Sequence, residues 1–114
     1  MLPSLVIEVR YYVTENDRSP FEEWFSAIDF IARAKVTAAI SRLEQGNTSN
    51  VKSVGEGVLE YKINFGPGYR VYFGRDGVTL AILLAGGIKK GQQRDIRLAV
   101  ALWADYKKRE RSAR

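Results

Sequence analysis

The chain has 114 residues, enough for one compact core and too few for two, and its 46% hydrophobic and 27% charged residues suit a single globular domain over residues 1–114. It contains neither cysteine nor histidine, which excludes disulfide staples, zinc–thiolate sites and Ser/His or Cys/His nucleophile pairs. The net charge of +5 is uneven: residues 1–57 hold 6 Lys/Arg and 8 Asp/Glu, whereas residues 58–114 hold 12 and 5, so a polyanion would meet the second half.

The chain's start, from Met1 to Glu8, lacks the basic n-region of a secretory leader, and no stretch approaches the roughly 20 apolar residues of a membrane span. A cytoplasmic location without membrane contact is expected. The first element is a strand over residues 6–13, rich in β-branched and aromatic side chains. Ser19 then caps a helix that opens on Pro20, with Glu22 completing a capping box and Glu23 adding to the favourable charge at that end. Its buried positions are Phe21, Trp24, Phe25 and Ile28. Asp29 caps a second helix running to about Gln45, whose Ala32, Val36, Ala39, Ile40 and Leu43 share one face. The closeness of the two helices predicts a hairpin.

A polar loop follows over residues 47–57, with a weak edge-strand signal at residues 51–54. Residues 58–65 alternate, with Leu59, Tyr61, Ile63 and Phe65 on one side and Glu60, Lys62 and Asn64 on the other. Gly66-Pro67-Gly68 turns the chain into a strand over residues 69–74. Asp76-Gly77 is a hairpin signal before the apolar strand at residues 78–85. Gly86-Gly87 is read as the end of that strand, Ile88-Lys89-Lys90-Gly91 as a basic loop, and residues 92–109 as a helix burying Ile96, Ala99, Val100 and Trp103. The expected fold is α+β: a small twisted, antiparallel-dominated sheet with an N-terminal helical hairpin and a C-terminal helix.

Strand alternation concentrates the chemistry. Val71 and Phe73 are the apolar pair of their strand, so Arg70 and Tyr72 point the other way. Pairing the apolar rows gathers Glu60, Lys62, Arg70 and Tyr72 on one surface, with Lys89 and Lys90 arriving beside it. Such a patch neutralises phosphates while a tyrosine stacks on a base. Plainer readings exist: Glu60 and Arg70 as a solvated cross-strand ion pair, Lys62 as a solubilising lysine, Tyr72 as packing, and Trp24 and Trp103 as core. Gly66-Pro67-Gly68 has neither the spacing nor the following helix of a nucleotide loop.

The run from Leu59 to Gly74, with its Tyr69-Arg70-Val71-Tyr72 after a glycine turn, resembles the central motif of the RelE/ParE toxin superfamily. It is most similar to the HigB-like, phage Gp49-related branch of addiction-module killer proteins. Gly86-Gly87-Ile88-Lys89-Lys90 followed by Asp95-Ile96, and the helix opening from Ser19 to Trp24, fit the same branch. The resemblance implies a toxin of a type II toxin–antitoxin pair with a helix-turn-helix antitoxin as partner. It also implies an mRNA endoribonuclease acting on the ribosome without metal or other cofactor. The arginine matching Arg70 would bind the scissile phosphate, with Lys62, Lys89 and Lys90 adding charge. Tyr72, Arg75 and Arg94 would contact RNA. Without histidine, the general base is Glu60 first, or a lysine of the cluster. Several relatives place a histidine or tyrosine near the last helix, where this chain has Gln92, Gln93, Arg94 and Asp95. A ParE-like gyrase inhibitor and a basic RNA-binding module without catalysis are the rival readings.

Overall fold

In the computed structural model, residues 6–113 are described; the leader reading at residues 1–5 lies outside them. The elements follow in the order β1 (Glu8–Tyr11), α1 (Pro20–Ala27), α2 (Phe30–Glu44), β2 (Val51–Gly55), β3 (Val58–Ile63), β4 (Tyr69–Asp76), β5 (Leu80–Ile88) and α3 (Gln92–Ser112). The helix starts are set by the side chains the sequence offers. Ser19 accepts from the Glu22 N–H at 3.1 Å, and Asp29 Oδ1 accepts from the Ala32 N–H at 2.8 Å. The five strands form one sheet in the order β1-β5-β4-β3-β2. β2 to β5 make an antiparallel meander, and β1 joins β5 in parallel.

Each face of the sheet has its own core. On one, Phe21 of α1 and Val36 and Leu43 of α2 pack on Tyr61, Val71, Phe73 and Leu83. On the other, Ala99 and Trp103 of α3 pack on Tyr12, Val58, Tyr72, Ile82 and Leu84. Burying the apolar stripes of three helices on both faces of one sheet removes the largest apolar side chains from water, the dominant favourable term in folding.

The structure alters three expectations. The N-terminal helices do not form a hairpin against each other. Ile28 and Asp29 are extended, and the break lets α1 lie over β5 while α2 lies over β1, β3 and β4. Gly86-Gly87 does not end β5: both glycines pair with β4, opposite Val71 and Arg70. Finally, α3 continues three residues past the expected Arg109, to Ser112. The weak signal at residues 51–54 is a true edge strand, β2.

One irregularity in β5 positions the site. Tyr72 pairs with Ala85 but Phe73 with Leu83, so Leu84 is an extra residue in the ladder. Past this bulge, Gly86 faces Trp24 of α1 and Gly87 faces Asp95 of α3. β1 pairs with β5 only as far as Leu83, so among the described residues no strand lies beside the glycine end of β5 on that side.

Candidate nucleic-acid site

The β3–turn–β4 hairpin builds the site. Its register sets Lys62 opposite Arg70 and Glu60 opposite Tyr72, so the four side chains share a face, as the alternation predicts. That face is not open to solvent throughout. Glu60 and Tyr72 are fully buried, and Arg70 is 4% exposed. The start of α3 covers them: Gln92, its first residue, donates Nε2 to Glu60 Oε2 at 2.8 Å.

The Arg70 guanidinium is fixed in two ways. Nη1 donates to the Gly68 carbonyl at 2.6 Å, and Nε lies 3.8 Å from Glu60 Oε2. Gly68 has φ +80°, and a Cβ there would lie 2.8 Å from Arg70 Nη1; only glycine makes this turn and leaves the guanidinium its seat. Arg70 Nε, Glu60 Oε1 and the Tyr72 hydroxyl are all buried without a hydrogen-bond partner. Burial and the neighbouring Glu60 carboxylate push the Tyr72 phenol far above its ordinary range. Lys52 of the edge strand approaches Glu60 Oε1 to 3.8 Å.

In front of Arg70 opens a cavity of about 460 Å³. Lys62, Lys89, Asn64 and the Gly66-Pro67-Gly68 turn line it with Arg70, and no carboxylate does. A second cavity, of about 250 Å³, shares Lys62, Asn64 and Phe65 with the first and adds Lys35 and Arg42 of α2. Lys35 Nζ also sits 5.0 Å from the Phe65 ring centre. On the other side, Lys90 and Arg94 line a third cleft with Trp24 and Asp95. Cations therefore form a track from Arg42 through Lys62, Arg70 and Lys89 to Arg94.

Sequence reasoning missed Lys35 and Arg42; their seven-residue spacing on the polar side of α2 was the available signal. It also missed Gln92 as the partner of Glu60. Trp24, read as core, is half-buried and lines the third cleft. Three of the expected site residues stand elsewhere. Tyr72 is under α3, so its ring is closed to a stacking base. Glu60 sits behind Arg70 and lines no cavity of the track, so it holds the guanidinium rather than facing a substrate hydroxyl. Arg75 lies about 17 Å along β4 from Arg70, at the strand's ~3.3 Å rise, and lines a separate 220 Å³ cavity with Trp103 and Tyr106. Among the described residues, no three acidic side chains converge as a metal cage.

A three-layered basic α+β domain, with helices on both faces of one sheet and a carboxylate-free groove centred on one buried arginine, is thus the class that fold and site define. The chain belongs to the family described as Phage derived protein Gp49-like (DUF891), which its residues 23–103 match, and that family is of the toxin–antitoxin, addiction-module type. It is also 43% identical over 83 residues to a Haemophilus influenzae protein named "Uncharacterized protein", covering 72% of this chain and 84% of the relative. The match is to the Gp49-like family itself rather than to the wider RelE/ParE superfamily. Among the described residues, no helix is long and apolar enough to cross a membrane.

Proposed function

We propose that this protein is the toxin of a toxin–antitoxin pair, of RelE/HigB type, and that it cuts mRNA on the ribosome without a metal. A cognate antitoxin, expected to carry a helix-turn-helix, would neutralise it. The observation that carries the reading is the convergence of Arg70, Lys62 and Lys89 on one cavity that no carboxylate lines. RNA supplies its own nucleophile, the 2′-hydroxyl, and charge builds on the adjacent phosphate as the bond to the 5′-oxygen breaks. Arg70 offers a planar fork of donors matched to two phosphate oxygens, and it is already held in place, so little reorganisation is needed as charge develops. With Glu60 behind the guanidinium, proton transfer falls to Lys62 or Lys89 at the cavity mouth.

The test is cleavage of mRNA on translating ribosomes, mapped by primer extension. The wild type should yield discrete cuts. Arg70→Lys keeps a cation beside Glu60 but loses the fork, and should cut more slowly by about 10²–10³-fold, the usual cost of removing a transition-state donor. Inhibition of gyrase supercoiling without any cut would replace this reading with the ParE-like one. Salt-dependent RNA binding without products would leave only a binding module.

A further inference from the structure

Only Lys89, Lys90 and Gly91 separate β5 from α3, so the lysine that shares a cavity with Arg70 rides on a very short connection. That connection is tied on both sides of Lys89. Its N–H donates to the Pro67 carbonyl at 3.3 Å, and its carbonyl accepts from the Gln92 N–H, also at 3.3 Å. Pro67 adjoins Gly68, whose carbonyl holds Arg70 Nη1. The Gln92 side chain then reaches inward to Glu60 Oε2 at 2.8 Å, the same oxygen that lies 3.8 Å from Arg70 Nε. The contacts close a ring that runs from Arg70 through the Pro67-Gly68 turn, Lys89, Gln92 and Glu60 back to Arg70.

Glu60 is the least supported member of that ring. It is fully buried, and among the described residues Gln92 Nε2 is the donor within hydrogen-bond reach of its carboxylate; Oε1 has none. The last torsion of a glutamate is soft, so this one bond decides where the carboxylate points and where it draws the guanidinium. The turn that presents Gln92 needs Gly91, at φ +90°, and that residue gives α3 no side-chain cap. Gln92 itself lines neither the Arg70 cavity nor the third cleft. Any effect it has on a phosphate at Arg70 must therefore travel through Glu60 and Lys89. A reacting group misplaced by about 1 Å can cost up to about 10²-fold in rate, whereas attraction for an RNA backbone depends on how many cations are present.

We propose that Gln92 is a positioning residue: its amide fixes the Glu60 carboxylate, and through Glu60 and the Lys89 connection it holds the Arg70 guanidinium and the Lys89 ammonium together on one phosphate. The inference rests on the RNA-cutting reading above and deepens it. Two variants test it. Gln92→Ala removes the amide, and Gln92→Glu keeps its shape but sets a second carboxylate against Glu60. Gln93→Ala, at the exposed neighbour, is the control. The first readout is solvent exchange of the Arg70 Nε–H, followed by NMR on the ¹⁵N-labelled protein. Both Gln92 variants should speed it by about tenfold, the scale of one hydrogen bond to a charged group, and the control should not. Exchange as slow as in the wild type in both folded variants overturns the proposal whatever they do to RNA. The second readout is mRNA cleavage on translating ribosomes. Gln92→Ala should lower kcat by about 10–10²-fold and leave KM and its salt dependence unchanged, because no cation is lost. Faster exchange with an unchanged kcat also overturns the positioning role. If the wild type cuts nothing, the cleavage reading falls and takes that role with it, while the hold of Gln92 on Arg70 is still read from exchange.

Discussion

At the scale of single residues, Glu60 and Arg70 show how burial reassigns roles that spacing alone suggests. Alternation along β3 and β4 correctly places them on one face with Lys62 and Tyr72. It carries no information about what covers that face, so Glu60 reads as a solvent-facing base until α3 is seen to lie over it. A fully buried carboxylate needs its cation: removing one partner of such a pair typically costs about 3–5 kcal/mol, which is why Arg70→Lys is a cleaner probe of catalysis than Arg70→Gln. Asp95 carries a different cost. Burial raises its pKa above the ordinary carboxylate value, so the folded state holds its proton more tightly than the unfolded state. The resulting penalty is absent below the unfolded pKa and develops in full as pH rises past the folded one. Asp95→Asn should therefore raise the urea midpoint at pH 7 and give little gain at pH 3; an equal gain at both would mean that ionisation is not the cause.

Among the elements, both tryptophans are seated in the same way. Trp24 of α1 sits on Gly86, and Trp103 of α3 sits on Gly74 from the opposite face. Added volume in such a close seat forces backbone shifts costing about 1–3 kcal/mol. Gly74→Ala and Gly86→Ala should each lower the thermal midpoint by several degrees, about 4–8 °C per kcal/mol at this size, whereas Gly77→Ala, which meets nothing within 4 Å, should act only through its turn conformation. The sequence signals for helix starts were strong because Ser19 and Asp29 act locally on the next turn. The hairpin reading failed because sequence proximity does not decide whether two helices prefer each other or a sheet. Gly86-Gly87 misled for a related reason: glycine in a strand marks close approach as readily as termination, and here an indole and a carboxylate needed the space.

For the molecule as a whole, the charge asymmetry of the sequence has become a track rather than a patch. The second half of the chain supplies Lys62, Arg70, Lys89, Lys90 and Arg94, while α2, from the half of net negative charge, contributes Lys35 and Arg42. Composition placed most of the cations in the second half but could not reveal that a helix from the first would extend their track. If RNA follows this track, Lys35→Ala with Arg42→Ala should weaken binding alike for all sequences. The log–log salt slope should fall by about 0.7 for each phosphate that is no longer neutralised; an unchanged slope would remove α2 from the path. The paired tryptophan seats also bear on how such a protein can be disarmed. Every missense change at a glycine codon adds a side chain, so Gly74, Gly86 and Gly87 offer loss-of-function routes that never touch Arg70. If the protein is the toxin proposed above, a population selected to survive it should accumulate escape alleles at those three codons, inactivating it by mis-seating its layers rather than by removing its chemistry.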